Sequence, residues 1–359
     1  MSARRVRRID LALQGGGAHG AFTWGVLDRL LEDERIEFGA ISGTSAGAMN
    51  AVVLADGLAR GGRPAAREAL RRFWSRVSNA TGRGPLTAMA PPLAPDAMAL
   101  LFGHGWLAAS PWGAVLDWMG RSFVAPHFNP LNLNPLRDIL AAEVDFERLR
   151  AYRGVRVVVG ATQVRTGQLR EFGHDELSAD VVMASACLPL LFRAVEIEGE
   201  AYWDGGYLGN PSLLPLVAHS ATHDLMLVQI DPSRRDVVPR LAHEIAHRLD
   251  EITFNGSLVK ELRTLALIRR LLREDGPDPA RRRAPLFGQI AALRLHRIEA
   301  GNDLARLGAA HRLDAGWTQL SRLHRLGHQA AQTWLEQGFA HLGRRSTLSL
   351  EPYLEGVSP

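Results

Sequence analysis

The chain has 359 residues, of which 46% are hydrophobic and 22% charged, and its formal net charge is +4. This much apolar surface excludes a chain that is disordered throughout. A single cysteine, Cys187, excludes a framework of disulfides within the chain. Because nothing electropositive surrounds Cys187 in the sequence, we expect it to be a buried packing residue rather than a nucleophile.

The first residues are basic, but no apolar run with a small-residue cleavage site follows them, so no secretory signal is predicted. Residues 97–116 are uncharged, which is about the length that spans a bilayer, but glycine, histidine and proline interrupt them. We therefore expect no transmembrane helix. The prediction is a cytoplasmic protein, with peripheral contact at the inner membrane surface left open.

The first two thirds of the chain predict alternating strands and helices. Apolar residues at helical spacing predict a helix over 20–33, and an Ala-rich helix is predicted from residue 46 to about residue 60. Short apolar or alternating runs predict strands over 9–13, 38–42, 156–162 and 224–230, and a hairpin over 195–202. This order indicates the α/β class, with a mostly parallel central sheet between helical layers.

Residues 84–135 interrupt this pattern and are rich in Pro, Gly, Trp and Met. They predict an apolar insertion packed on the sheet, or alternatively a lid or surface that meets lipid, since Trp-rich apolar surface suits a membrane boundary.

After about residue 240 we expect no further strands. Helices are predicted over 263–273, 286–300 and 316–342, which gives an all-helical C-terminal extension. Residues 234–350 hold 20 Lys+Arg and 12 Asp+Glu, a net charge of +8. We expect these helices to pack on the core, with arginine faces turned to solvent, to an anionic membrane or to a partner. No nucleic-acid-binding pattern is evident, so no nucleic acid is expected.

The first glycine motif, Gly15–Gly20, lies between a predicted strand and a predicted helix. Backbone N–H groups at a helix N-terminus can hold a pyrophosphate or stabilise an oxyanion. A dinucleotide site would need an acidic residue at the end of the second strand, whereas Glu37 precedes that strand. The motif alone leaves both interpretations open.

The second motif, Gly43–Gly47, has the G-x-S-x-G pattern of a nucleophile elbow, again between a strand and a helix. In such an elbow Ser45 projects above the sheet, and Gly43 and Gly47 flank it because a side chain would clash with the tight backbone. Two consecutive strand–helix turns of one parallel sheet would bring the two motifs together.

A serine nucleophile needs a base. The best candidate is Asp204, because Gly205 and Gly206 follow it in a tight loop after the predicted hairpin. The alternative is an aspartate that only caps this turn.

Together these segments resemble the patatin-like phospholipases. Gly15–Gly20, Gly43–Gly47 and Asp204–Gly206 match three signatures of that family in the family's order, and Ala184–Phe192 resembles its Ala-Ser-x-x-x-Pro-x-x-Phe segment. The resemblance covers roughly residues 9–217, the predicted catalytic domain. Residues 218–350 form the other predicted part, a strand followed by the basic helical region.

The resemblance implies a patatin-like three-layer sandwich and a lipid acyl ester hydrolase of the phospholipase A or lysophospholipase kind. Ser45 is implied as nucleophile and Asp204 as base, in a dyad without histidine that works through an acyl-enzyme. The oxyanion hole is implied at the start of the first motif, at Gly15, Gly16, Gly17 and Ala18, with His19 and Gly20 flanking it. The family usually has Arg or Lys where this chain has His19, which is not permanently charged.

Several alternatives stay open at this level. The same serine could serve a transacylase or a generic carboxylesterase, or the fold could be a non-catalytic protein that binds lipid surfaces. A different hydrolase fold could complete a Ser-Asp-His triad with His219 or His223. No cofactor and no metal is implied, because the chain has no H-E-x-x-H motif and no thiolate cluster. His243 and His247 could share one helix face, which we attribute to chance.

Overall fold

The structure is a computed structural model. It describes residues 6–83, 134–189, 192–219, 222–235, 237–274, 285–301 and 314–356. The predicted insertion over 84–135 lies outside the described residues except for its last two positions, and the uncharged stretch over 97–116 lies wholly outside them.

Eight strands form a single sheet in the described residues. They are β1 (Arg7–Leu13), β2 (Ile36–Gly43), β3 (Arg156–Gln163), β4 (Gln168–Phe172), β5 (Val195–Ile197), β6 (Glu200–Asp204), β7 (Asp224–Gln229) and β8 (Arg294–Glu299). The order is β5-β6-β3-β2-β1-β7-β8, and β4 also pairs with β3. The neighbours from β3 to β8 pair in parallel, whereas β4, β5 and β6 pair antiparallel.

Helices account for most of the remaining described residues. They are α1 (Gly20–Glu32), α2 (Ala46–Arg83), α3 (Pro135–Glu143), α4 (Phe146–Ala151), α5 (Ala179–Ser185), α6 (Leu214–His219), α7 (Ala242–Glu274), α8 (Pro285–Ala292), α9 (Trp317–Gly338) and α10 (Glu351–Leu354). Helix α2 is interrupted at Gly61 and Gly62, where the backbone leaves the helical conformation. No helix in the described ranges is both long and apolar enough to cross a membrane.

Both faces of the sheet are covered by helices. Along β7, Met226 and Val228 belong to the core beneath α1, α2 and α9, whereas Leu225 and Leu227 belong to the core beneath α6, α7 and α8. Successive side chains of a strand point to opposite faces, so a continuously apolar strand requires a layer on each side. This confirms the predicted α/β class and the layered architecture.

The C-terminal part departs from expectation in one respect. The expectation that no strand follows residue 240 is wrong, because residues 286–300, predicted as one helix, form α8 followed by β8. Strand β8 pairs with β7 at the sheet edge, so its backbone hydrogen bonds are decided by a neighbour distant in sequence. The C-terminal extension is therefore mostly, but not entirely, helical.

Helix α9 packs closely on α1, the helix that follows the first glycine motif. A Cβ on Gly327 would lie 1.9 Å from the carbonyl oxygen of Phe22, and a Cβ on Gly25 would lie 1.9 Å from that of His324. Only glycine permits this approach of the two backbones. The rings of Trp24 and His324 lie 4.1 Å apart beside the crossing. The C-terminal part thus covers the face of the sheet that carries α1.

Candidate active site

The two glycine motifs meet at one edge of the sheet, which we call the carboxyl edge because the parallel strands β1, β2 and β7 end there. In the sheet, β2 and β3 follow β1 on one side, whereas β7 and β8 lie on the other side of β1. In open α/β sheets, ligands bind at such a change of direction, beyond the carboxyl ends of the strands. The sequence therefore places its motifs where a site is expected.

Ser45 lies at a strained turn between β2 and α2. Its backbone φ is 54°, a left-handed value that non-glycine residues rarely adopt. A Cβ on Gly47 would lie 2.2 Å from the carbonyl oxygen of Leu13, so glycine is needed there to let the turn approach β1. The backbone N–H of Ser45 donates to the hydroxyl of buried Ser185 at 2.9 Å. These contacts fix the predicted elbow, with Ser45 partly exposed.

Asp204 reaches the same place through the register of the sheet. Gly43, at the end of β2, pairs with Val159 of β3, and Asp204 pairs with Ala161, two residues further along β3. Asp204 therefore lies just above the carboxyl edge, level with the elbow. Its backbone is held on both sides, since its N–H donates to the carbonyl of Cys187 at 2.8 Å and its carbonyl accepts from the Thr162 hydroxyl at 2.8 Å.

The carboxyl of Asp204 is almost completely buried, with 1% of the residue exposed. Burial is the main influence on this group and raises its pKa from 3.8 to about 7, because water no longer stabilises the carboxylate. Two hydrogen bonds act in the opposite direction: the N–H of Gly206 donates at 2.7 Å, and the side chain of Ser45 also donates. Asp204 can thus exchange a proton near neutral pH while touching the Ser45 hydroxyl.

The loop of the first motif lies beside this pair. A short 3₁₀ turn over Gly17–His19 leads into α1, and Gly17 has a φ of 60°, which favours glycine. The N–H of Gly15 donates to the Asn210 side chain at 2.7 Å and is therefore already engaged. Within the described part of the chain, the N–H groups of Gly16 and Gly17 have no protein acceptor, as expected at the start of a helix.

The remaining predicted positions are also accounted for. Ala18, His19 and Gly20 are buried where the loop enters α1, and Gly205 and Gly206 are buried in the 3₁₀ turn after Asp204. Cys187 is buried, as expected, and burial raises the pKa of its thiol to about 11, so it is not a nucleophile.

The alternative triad is not assembled. The strand β7 is directly preceded by His223, which therefore lies at the amino end of that strand, where its carbonyl accepts from the N–H of Arg294. His219 ends α6, four residues earlier along the chain. Ser45 lies at the opposite, carboxyl edge.

The structure adds residues that the motifs did not single out as functional. Ser185 belongs to the Ala-Ser segment, but only the structure shows that its hydroxyl accepts the N–H of Ser45. Asn210 follows Asp204 by six residues, and Gln14 directly precedes the glycines, yet neither forms part of a spacing that predicts a contact. Asn255 lies far along the chain on α7 and carries no signal at all.

One grouping of metal-ligand type occurs among the described residues, at Asp28, Glu32 and His328. Arg67 donates to Asp28 at 2.6 Å and to Glu32 at 2.7 Å. Because the guanidinium group of Arg67 already binds both carboxylates, we assign no metal site.

A family model described as patatin-like phospholipase matches residues 11–217, more than half of the chain. The chain belongs to the patatin-like phospholipase family. The match covers the elbow, the glycine loop and Asp204, and membership supports lipid hydrolase activity in general terms. Comparison with curated proteins finds no match.

Two solved structures are similar to this chain. VipD from Legionella pneumophila is 16% identical, with a TM-score of 0.37, and the match covers 97% of this chain and 79% of VipD. ExoU, in its complex with SpcU from the type III secretion system of Pseudomonas aeruginosa, is 17% identical, with a TM-score of 0.32. That match covers 98% of this chain and 75% of the other.

Proposed function

We propose that the protein hydrolyses acyl esters of lipids, with Ser45 as the nucleophile and Asp204 as its base. The observation that carries this proposal is the hydrogen bond from the Ser45 side chain to the buried carboxyl of Asp204, at the carboxyl edge and beside the glycine loop. A serine hydroxyl is a weak nucleophile until a neighbouring base accepts its proton.

The first half-reaction forms an acyl-enzyme. The Ser45 oxygen attacks the ester carbonyl carbon as its proton passes to Asp204. The negative charge on the carbonyl oxygen is stabilised by the N–H groups of Gly16, Gly17 and Ala18, since Gly15 is engaged with Asn210. Asp204 then gives the proton to the leaving alcohol or lysolipid.

The second half-reaction releases the fatty acid. Water gives a proton to Asp204 and attacks the acyl carbon, and Ser45 recovers its proton as the ester bond breaks. A pKa of about 7 suits both steps, because a group that accepts and returns a proton works best when its pKa lies near the working pH.

Several arginines of the C-terminal part have carboxylate partners. Among the described residues, many of them pair with a carboxylate: Arg235 and Arg248 with Glu251, Arg270 with Glu274, and Arg294 with Asp224. Exposed pairs of this kind add little stability, and the net charge of residues 234–350 is +8 with these carboxylates counted.

Fluorophosphonate labelling and hydrolysis of p-nitrophenyl esters test the proposal. The wild type is compared with Ser45→Ala and Asp204→Asn, and Ser349→Ala serves as the matched control because Ser349 is exposed and hydrogen-bonds only Glu351 among the described residues. We expect labelling to be lost in Ser45→Ala, ester turnover to be lost in both site variants, and the control to behave as the wild type.

Phosphatidylcholine vesicles then test the substrate class by the release of free fatty acid. Folded wild-type protein that neither labels nor turns over any ester would refute the catalytic assignment. Ester turnover that survives in Ser45→Ala would refute the nucleophile. Acyl transfer to added glycerol in place of fatty acid release would identify the transacylase.

A further inference from the structure

Three buried side-chain amides surround the start of the glycine loop. They belong to Gln14, Asn210 and Asn255, all of which are at most 5% exposed. We call these three residues the amide clamp. A buried amide without partners is costly, so each one requires a complete set of hydrogen bonds.

Gln14 is the centre of the amide clamp. It directly precedes Gly15, and its Oε1 accepts two backbone N–H groups, from Ile230 at 2.7 Å and from Asp231 at 2.8 Å. Its Nε2 donates to Oδ1 of Asn255 at 2.8 Å. A single side chain thus joins the end of β1, the end of β7 and helix α7.

Asn255 completes the connection from α7. Its Nδ2 donates to the carbonyls of Pro232 at 3.2 Å and Asp231 at 3.4 Å, so both ends of its amide are used. If Oδ1 of Asn255 is removed, Nε2 of Gln14 keeps only its contact with the carbonyl of Asn210 at 3.5 Å, the limit of a hydrogen bond.

The third member, Asn210, links the same helix to the loop itself. Its Oδ1 accepts the N–H of Gly15 at 2.7 Å, and its Nδ2 donates to the carbonyl of Phe254 on α7 at 3.2 Å. The backbone N–H of Asn210 donates to the hydroxyl of Ser257 at 3.2 Å. Helix α7 therefore contacts both other members of the amide clamp: Asn255 binds Gln14, whereas Phe254 and Ser257 bind Asn210.

We infer that Asn255 is a positioning residue for the oxyanion loop, supplied by a helix outside the matched segment 11–217. It acts through Gln14. The orientation of the Gln14 side chain sets the position of the backbone at Gly15, and hence the direction in which the N–H groups of Gly16 and Gly17 point. A donor that stabilises an oxyanion works only when aimed at the position where the charge develops. The kinetic part of this inference rests on the proposed function, and the conformational part does not.

The test compares full-length wild type, Asn255→Ala, Asn255→Leu and Thr253→Ala. Asn255→Leu preserves the volume of the side chain, which protects the fold if Asn255→Ala does not fold. Thr253 is the matched control, since it lies on the same helix, is exposed, and bonds only the carbonyl of Leu249 among the described residues. Hydrolysis of p-nitrophenyl butyrate, amide hydrogen exchange of residues 14–20 and urea unfolding are measured for each protein.

For the Asn255 variants we expect kcat per folded enzyme to fall roughly 10- to 100-fold, the order expected when reacting groups are misplaced. KM and the pH at half-maximal rate should not move, because neither the substrate surface nor Asp204 is touched. Exchange should become faster at Gly15 and His19, whose N–H groups are hydrogen-bonded to the Asn210 side chain and to the carbonyl of Gly16, and stay unchanged over residues 25–32 of α1. Thr253→Ala should match the wild type.

A folded Asn255 variant with wild-type kcat and wild-type exchange at the loop would overturn the inference. So would a variant in which activity falls only in proportion to the loss of folded protein, because Asn255 would then be merely structural. If the wild type shows no ester hydrolysis, the proposed function fails. The exchange measurement still decides the inference in that case, since unchanged exchange at the loop overturns it.

Discussion

The buried carboxyl of Asp204 should lower the stability of the folded protein as the pH rises. Burial raises its pKa from 3.8 to about 7, so the folded chain keeps a proton that the unfolded chain releases between about pH 4 and pH 7. When the folded state binds more protons, stability decreases with increasing pH across that window. The difference between the two pKa values corresponds to about 4 kcal/mol above pH 7, since each pH unit is worth about 1.4 kcal/mol.

Asp204→Asn removes this cost, because an asparagine has nearly the same shape, stays neutral and can still accept the N–H of Gly206. At pH 8 we expect the free energy of unfolding of the variant to exceed that of the wild type by up to about 4 kcal/mol. The gap should shrink steadily toward pH 4, while esterase activity is absent in the variant at every pH.

Urea denaturation followed by tryptophan fluorescence, at intervals of one pH unit from 5 to 8, measures the gap. Burial also raises the pKa of Glu261 to about 7, but that group is common to both proteins and its effect cancels in the difference. Asp250→Asn is the matched control, because Asp250 is an exposed carboxylate on α7. A gap that is the same at pH 5 and pH 8, or a wild type that is the more stable protein at pH 8, would refute the reasoning.

Three further predictions concern Asp204, the α1–α9 crossing and Asp28. The rate of hydrolysis of a soluble ester should rise about tenfold per pH unit below pH 7 and level off above it, because Asp204 must be unprotonated to act as the base. A rate that is constant through pH 7 would contradict this role of Asp204. Gly327→Ala should lower the free energy of unfolding by about 1–3 kcal/mol, because the added methyl group overpacks the α1–α9 crossing. Gly288→Ala should not lower it, because Gly288 lies in open space on α8. Thermal denaturation compares the two variants. Burial alone would raise the pKa of Asp28, but hydrogen bonds from His324 and Arg67 lower it to about 2. Asp28 therefore stabilises the fold above about pH 4 and loses this effect as the pH falls through 2. In urea denaturation, Asp28→Asn should lower the free energy of unfolding by about 2 kcal/mol at pH 7 and by less at pH 3. An equal loss at both pH values would contradict this.

The strands and helices that the sequence predicted most reliably are those with a strong local pattern. Strands β1, β2, β3 and β7 fall within one or two residues of their predicted bounds, because each is a short apolar or alternating run. Strands β4 and β8 were not predicted. The apolar residues of Arg294–Glu299, Leu295 and Ile298, are three apart, which is a helical rather than a strand spacing. Only the pairing of this segment with β7 decides that it is a strand.

The candidate site divides in the same way. The sequence by itself determined which residues are candidates for the proposed chemistry. The G-x-S-x-G pattern around Ser45, the glycine loop at Gly15–Gly20 and the acid followed by two glycines at Asp204 are all local patterns. The physical reason is that each is a turn whose backbone conformation depends on its own few residues.

Only the tertiary structure decided how these turns meet. The register that places Asp204 level with the elbow, the burial that raises its pKa, and the engagement of Gly15 by Asn210 all depend on contacts between distant segments. The position of Asn255 beneath the loop depends on the path of α7 across the sheet. Desolvation and hydrogen-bond partners are properties of packed surroundings, and no local pattern of residues can specify them.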